Sequence, residues 1–414
     1  MTDTKFDLVV FGATSFVGQI LTSYLTQYFA DSNEKIRWAI AGRSQSKLDQ
    51  LKNSLGENAL GLATLIADVN DSNAIKAICE QTRAVVSTVG PYALYGEPMI
   101  KACVETGTDY CDLTGETQWI KKMIDRYQDQ AEQSGARIVH CCGFDSVPSD
   151  MGVLFLQQHA LKQYGVPATQ VKMRVKTLKG GASGGTVASL MNVIQEAAAD
   201  PALRKALINP YLLVPQNNNA QVRQHYVKSA EFDQDFNAWI APFVMSAINE
   251  RVVHRSNALN HYLYGDEFSY NEATLMGQGL QGRMKAYGLV AGLGAFMLSA
   301  VSKPISKVME QYILPKSGEG PTPEQQRNGR FDIRFLGKTE NGQTIQVKVT
   351  GDRDPGYGST GKMLGQAALS LVLDHQNHGE KTGRQGGFWT PASMFDERFI
   401  QRLQKHAGIG FEVL

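Results

Sequence analysis

The feature that most constrains this chain is a glycine-bearing turn between a strand-like and a helix-like run near the amino terminus. Phe6–Phe11 (FDLVVF) is apolar and reads as a buried strand. Gly12-Ala13-Thr14-Ser15-Phe16-Val17-Gly18 follows, and a helix-like run extends from Gln19 to Phe29. A strand that enters a helix through such a turn directs backbone N–H groups and the positive end of the helix dipole at one point, which suits a dinucleotide pyrophosphate. Gly12 can take backbone angles closed to other residues, and Gly18 lets the helix pack closely on the strand. The middle glycine of the usual Gly-x-Gly-x-x-Gly is absent, and the small residue Ser15 stands in its place. The alternative is an ordinary strand–turn–helix whose glycines serve geometry alone.

A second strand, Ile36–Ala41, ends in Gly42-Arg43-Ser44. NAD enzymes usually place Asp or Glu there, to hold the adenosine ribose hydroxyls. An arginine suits a 2′-phosphate instead, through a charge-assisted fork of donors, and Ser44 can cap the next helix. NADP(H) is therefore expected over NAD(H), unless Arg43 is only a solvated surface charge.

Up to residue 141 the chain alternates helix-like and strand-like runs. Strands are expected at 61–67, 84–89, 110–113 and 137–141, in addition to the first two. Their apolar runs lack clean alternation, as in parallel strands buried on both faces. The expected fold class is α/β: a Rossmann-type doubly wound parallel sheet of six strands. Ligands of such sheets lie beyond the carboxyl ends of the strands. That rule adds Asp68 as a partner for adenine, and Thr88, Val89, Gly90, Pro91 and Tyr92 as a close backbone approach. It also marks Asp112, His140, Asp145 and Ser146. Asp68 and Asp112 suit helix caps equally well. His140 and the Cys141-Cys142 pair are expected to pack in the core rather than react.

After Pro148 the rhythm changes. Phe331–Gly337 and Thr344–Thr350 alternate around Asn341-Gly342, a hairpin pattern in which Phe331, Ile333 and Phe335 share a face with Ile345, Val347 and Val349. The glycine-rich stretch Gly180–Gly185 opens a helix, either as a polar-group cradle or as a plain connection. Residues 316–328 read as an exposed loop, and a helix over 359–374 is expected to return to the first domain. The expected organisation is 1–147 as nucleotide domain, 148–352 as an inserted α+β substrate or dimerisation domain, and 353–414 as helices returning to the first domain.

Composition narrows the function. The net charge of +1 over 414 residues, without a long basic block, argues against nucleic acid as a partner. The five cysteines form no C-x-x-C pair or metal-ligand spacing, so no metal is expected and a cytoplasmic setting is. Ala286–Val301 is uncharged and mostly apolar. It reads as a buried or homodimer-interface helix, with peripheral membrane contact or contact with an acyl substrate as the alternative. The only Tyr-x-x-x-Lys spacing considered as a reductase pair, Tyr312 to Lys316, is interrupted by Pro315 and is set aside.

The motifs Gly12–Gly18, Ala41–Ser44, Gly90-Pro-Tyr-Ala-Leu-Tyr-Gly-Glu97, Tyr110-Cys-Asp-Leu-Thr-Gly-Glu116 and Cys142-Gly-Phe-Asp-Ser-Val-Pro-Ser-Asp150 together resemble the saccharopine dehydrogenase-like oxidoreductases, including their trans-acting enoyl reductase branch. So do Gly181–Thr186, Gly282–Lys285, Asp354–Lys362 and Gly386–Ala392, so the resemblance runs almost end to end. It implies a Rossmann domain, an inserted substrate domain and NADP dependence, with links to lipid and glycolipid metabolism. The leading expectation is an NADPH-dependent reductase of an apolar, lipid-like substrate such as an enoyl intermediate. Tyr92 is the first candidate proton donor, with Asp145 and Ser146 behind it. A saccharopine-like amino-acid or imine oxidoreductase and a non-catalytic NADP-binding protein stay open. Replacing Arg43 with Asp should weaken NADPH binding far more than NADH binding in a calorimetric titration. Equal loss for both would remove the 2′-phosphate argument.

Overall fold

The computed structural model describes residues 4–181, 184–215, 222–301, 320–377 and 380–414. Its strands, in chain order, are β1 (Phe6–Phe11), β2 (Trp38–Gly42), β3 (Ala63–Ile66), β4 (Thr82–Ser87), β5 (Asp109–Asp112), β6 (Arg137–Val139), β7 (Ala168–Lys179) and β8 (Glu231–Asp233). They continue with β9 (Ala238–Pro242), β10 (Ser269–Gly277), β11 (Arg330–Thr339), β12 (Thr344–Gly351), β13 (Gln376–Asn377), β14 (Glu380–Lys381), β15 (Gly387–Trp389) and β16 (Ile409–Val413).

The chain divides into two compact units. The first holds the described residues up to Phe144, with Gly320 and Gly356–Ala407. Its sheet has the order β15-β6-β5-β4-β1-β2-β3, with every pair parallel. The six strands read from the sequence are present. The seventh, β15, was not anticipated, because three residues cut from a glycine-rich stretch carry almost no periodicity. Every residue of β1 is buried, as its unbroken apolar run required. The order reverses between β1 and β4, where Phe11 pairs with Ser87. The ends of these two strands form the switch point of the sheet.

Helix Thr360–Leu373 lies in this unit, where Gln366 Nε2 donates to the Tyr24 hydroxyl at 2.6 Å. Arg402 joins the same corner by ion pairs to Glu34 and Asp374, at 2.9 and 2.6 Å. At the amino ends of β5 and β6, away from the switch point, Arg137 is fully buried and pairs with Asp109, its Nε 3.1 Å from both carboxylate oxygens. Its guanidinium also donates to the carbonyls of His375, Thr382 and Leu371. Burial opposes the charge on Asp109, yet Lys381 and Arg137 hold the carboxyl below its ordinary range.

The second unit holds the described residues of Asp145–Ser317, with Pro321–Pro355 and Gly408–Leu414. Its seven-stranded sheet runs β16-β12-β11-β7-β10-β9-β8 and is antiparallel except for β7 with β10. The β11–β12 hairpin has the expected register, Ile333 opposite Val349 and Phe335 opposite Val347, with all four buried. The closing strand β16 was not among the elements read from the sequence. The described part of the expected 316–328 loop contains a short helix, Pro323–Arg327, capped by Thr322.

The apolar stretch is one helix, Gly279–Val301, long and apolar enough by length and composition to cross a membrane. The expectation that it is buried within the chain is overturned. Only Gly282, Ala286 and Ala300 are buried, whereas Leu280 is 71% and Leu298 76% exposed. Leu289, Val290 and Phe296 pack partly against the chain, whereas Leu280, Met284, Met297 and Leu298 stand out from it.

Replacing Arg137 with Met leaves the Asp109 carboxylate buried without its closest partner. We expect a loss of about 3 kcal/mol in unfolding free energy, read as a lower urea midpoint at unchanged slope. A loss under about 1 kcal/mol would contradict the role given to this pair.

Candidate functional site

Gly12 has φ +82°, and a Cβ there would sit 2.5 Å from Val89 Cγ2. No other residue fits without moving the β4 loop. A Cβ on Gly18 would meet the Gly12 carbonyl at 2.1 Å, so the first helical turn closes directly on the strand end. The helix is Phe16–Asp31, and Ser15 is its N-cap: its Oγ accepts from Gly18 N at 3.0 Å. The same hydroxyl lies 2.9 Å from Thr88 Oγ1, which donates to the Gly12 carbonyl at 2.9 Å. Thr88 N donates to Phe11 O at 3.0 Å. Ser15 is therefore more than a tolerated small residue. It satisfies an orphan helix donor and ties the turn to the switch point.

Gly42 is buried at the end of β2, and Arg43 beyond it is exposed. Arg43 carries no ion pair or hydrogen bond among the described residues. Ser44 caps the helix Gln45–Ser54 as expected and lies 3.1 Å from Ser46 Oγ. A bare guanidinium beside a cluster of hydroxyl donors fits a phosphate monoester. The turn, with a cradle that a single methyl would fill, fits a pyrophosphate. Ala13 is buried, while Thr14, Phe16 and Val17 are only partly covered. Asp68 Oδ1 accepts from the backbone and side-chain nitrogens of Asn70, both at 2.9 Å, and the next helix is capped by Asp71 instead.

Tyr92 opens the short helix Tyr92–Tyr95, directly after Gly90 and Pro91. Glu116 accepts from Tyr92 N and Ala93 N at 2.8 and 2.9 Å, anchoring that helix with one carboxylate. The Tyr92 hydroxyl donates to the Ser87 carbonyl at 2.9 Å, and burial and the nearby Asp112 push its pKa well above the ordinary value. Asp112 is a hub rather than a helix cap. Its Oδ2 takes the Tyr110 hydroxyl and lies 2.8 Å from His140 Nδ1, while Oδ1 accepts from Thr114 N. His140 Nε2 is buried without a partner among the described residues, so the expected satisfied core histidine is satisfied on one side only. Cys141 and Cys142 are buried, and burial pushes the Cys142 thiol well up.

In the second unit, Asp145 and Ser146 precede the helix Val147–Tyr164. Loss of solvent pushes the Asp145 carboxyl up to about 7. It has no hydrogen bond or ion pair among the described residues. Ser146 has φ +119°, a strained conformation for a residue with a side chain, and its Oγ donates to Asn249 Oδ1 at 3.0 Å.

Asn249 lies on the helix Ser246–Leu259, which the sequence reading missed. Ile248–Asn257 of this helix are all buried, including Asn249, Glu250, Arg251, His254 and Arg255. Its charges masked the signal: a helix without an apolar stripe reads as solvated, whereas the fold buries these groups. The possible substrate-holding part of Gly180–Gly185 and the set-aside Tyr312–Lys316 pair fall partly or wholly outside the described residues. Gly181 N does donate to Asp354 Oδ1 at 3.1 Å.

Comparison with known proteins accords with this geometry. Residues 8–139 match the family model of the saccharopine dehydrogenase NADP binding domain, so the first unit carries an NADP-binding domain. The chain is 35% identical over 423 residues to a Mycobacterium tuberculosis protein provisionally named a trans-acting enoyl reductase, covering 99% of this chain and 98% of that one. It is 30% identical to a trans-acting enoyl reductase of Mycobacterium bovis, covering 97% and 96%. Among solved structures, apo saccharopine dehydrogenase (L-Glu forming) from Saccharomyces cerevisiae aligns over 99% of this chain and 100% of that one, with a TM-score of 0.51 at 13% identity. That likeness concerns the fold alone.

Proposed function

The chain belongs to the trans-acting enoyl reductase family, whose nucleotide domain is of the saccharopine dehydrogenase type, and from that footing we propose that it reduces the double bond of a lipid-type enoyl thioester with NADPH. The observation that carries the NADPH half is the Gly12 turn clamped to Thr88, together with the unpaired Arg43. Bound NADPH supplies the hydride. The chain's own residues manage charge and protons. The Gly12–Gly18 turn and the start of helix Phe16–Asp31 hold the pyrophosphate, and Arg43 with Ser44 holds the 2′-phosphate.

Adding hydride to an enoyl thioester gathers negative charge on the carbonyl oxygen and leaves a carbon to be protonated. Asp145 is the proton donor in this account. Its carboxyl is unpaired and, with a pKa pushed up to about 7, is protonated below neutrality and ionised above it. Ser146, the other candidate of that segment, is buried and has its proton on Asn249 Oδ1. Tyr92, the first candidate from the sequence, has its hydroxyl committed to the Ser87 carbonyl and serves to shape the β4 loop.

The outward face of helix Gly279–Val301 supports contact with a membrane. Arg283 stacks on Trp239 and Tyr287 near the helix start, with ring distances of 5.4 and 5.8 Å, and Leu280, Met284, Met297 and Leu298 are exposed. Aromatic and basic groups at one end of an apolar helix suit the lipid headgroup boundary. This reading places a cytoplasmic enzyme peripherally on a membrane, where acyl substrates concentrate.

Mixing the protein with NADPH and a panel of enoyl thioesters should oxidise the cofactor, with kcat falling as pH rises above about 7. Asp145→Asn should lower kcat by about a hundredfold while sparing NADPH affinity. Turnover of imines or amino acids, with none of enoyl thioesters, would contradict the proposal. Separately, the protein should co-sediment with anionic phospholipid vesicles, and the double change Leu280→Asp, Leu298→Asp should weaken that binding by at least about tenfold. Absence of vesicle binding, with a dimer seen by light scattering that the same changes dissolve, would assign the face to a second copy instead.

A further inference from the structure

The donors of the amino-terminal turn can be counted one by one. Gly12 N and Ala13 N both donate to the Ala41 carbonyl, at 2.9 and 3.1 Å, which ties the turn to the end of β2. Ser15 N donates to the Gly12 carbonyl at 2.9 Å, and Gly18 N to Ser15 Oγ at 3.0 Å. Thr88 spends its proton on the Gly12 carbonyl, so the contact between the two hydroxyls has Ser15 as donor and Thr88 as acceptor. The Ser15 proton is therefore held inside the turn. The N–H groups of Thr14, Phe16 and Val17 have no acceptor among the described residues, and these are the donors left for a pyrophosphate.

The other polar side chain of the turn, Thr14, is uncommitted. Its hydroxyl makes no hydrogen bond among the described residues, and the residue is only partly covered. Its position is nevertheless fixed. Ala13 before it and Ser15 after it have their N–H groups bonded, and the Thr14 carbonyl accepts from Gln19 Nε2 at 3.1 Å. A β-branched side chain on a backbone held in this way has few χ1 options. A Cβ built on Gly42 would lie 3.6 Å from Thr14 Oγ1, nearer than to any other atom it meets. The hydroxyl therefore stands by the end of β2, next to the residue that precedes Arg43 and Ser44. With glycine at position 42, no side chain covers it from there. All of these residues belong to the first unit.

We propose that the Thr14 hydroxyl is a specificity-determining donor to the 2′-phosphate, so that the turn itself, and not Arg43 alone, selects NADP(H) over NAD(H). This rests on the reading of Arg43 and Ser44 as the holders of that phosphate.

The two side chains contribute differently. Arg43 is exposed, so its attraction for a phosphate is screened by salt, and its long side chain must be ordered on binding. It supplies charge. Thr14 is in place beforehand and supplies position. Toward a phosphate oxygen its hydroxyl makes a charge-assisted bond. Toward the ribose hydroxyl of NAD(H) it makes a neutral one at most, and the charge-assisted bond is the stronger of the two.

Calorimetric titrations of the full chain with adenosine 2′,5′-bisphosphate and with 5′-AMP test this without any turnover. The wild type should bind the bisphosphate more tightly. Thr14→Val keeps the shape and removes the donor, and should weaken the bisphosphate by about tenfold but 5′-AMP by less than about twofold. Thr14→Ser restores the hydroxyl and should bring the bisphosphate back to within about threefold of wild type. A preference for the bisphosphate that survives Thr14→Val unchanged, or an equal loss for both ligands, overturns the proposal and leaves the role of Arg43 standing. A wild type without any preference overturns the reading of Arg43, and the proposal falls with it. Should Thr14→Val fail to fold, Thr14→Ala removes the same hydroxyl without a branched replacement and is judged by the same outcomes.

Discussion

The structure of the first unit turns on a three-centre contact: the Ser15 hydroxyl, the Thr88 hydroxyl and the Gly12 carbonyl. A turn built to receive a pyrophosphate must expose N–H groups, and an exposed, glycine-containing turn is floppy unless something holds it. Thr88 holds it from the neighbouring strand end, and Ser15 caps the helix with the hydroxyl that meets Thr88. The turn is thereby ordered before any ligand arrives. Preorganisation of this kind converts loop entropy into affinity. It also makes the Ser15 departure from the usual glycine intelligible: the missing flexibility is replaced by two hydrogen bonds.

The two units divide the chemistry. The first positions, with fixed donors and one uncommitted guanidinium. The second holds Asp145, Glu250 and Glu272, whose carboxyls burial lifts above their ordinary range. Such groups are expensive to bury and are retained where a reaction uses them. Glu250 on helix Ser246–Leu259 and Glu272 on β10 meet in one buried polar interior.

Much of the first unit was legible in the sequence because parallel strands buried on both faces write themselves as unbroken apolar runs. Val9-Val10 and Val85-Val86 needed no partner to be recognised. The short β15 left no such trace. In the second unit the hairpin was legible from Asn341-Gly342 and strict alternation, whereas helix Ser246–Leu259 was not: Glu250, Arg251, His254 and Arg255 look solvated until the elements that pair with them are known. The Gly12–Gly18 turn could be read from local spacing, since its glycines and its cap lie within one short stretch. The hydrogen bonds from Ser146 to Asn249 and from Asn249 to Glu272 join distant parts of the chain, and only the fold brings them together. Helix Gly279–Val301 misled for a different reason: apolar composition reports that a surface must be covered, without saying by what.

The central claim is that an NADP nucleotide docks on the amino-terminal turn with its extra phosphate on Arg43. A crystal structure of the protein grown with NADPH tests it most directly. The account predicts pyrophosphate density over the Gly12–Gly18 turn and a 2′-phosphate within hydrogen-bonding reach of the Arg43 guanidinium and the Ser44 hydroxyl. Nucleotide density elsewhere on the molecule, or a 2′-phosphate facing solvent with Arg43 turned away, would contradict it.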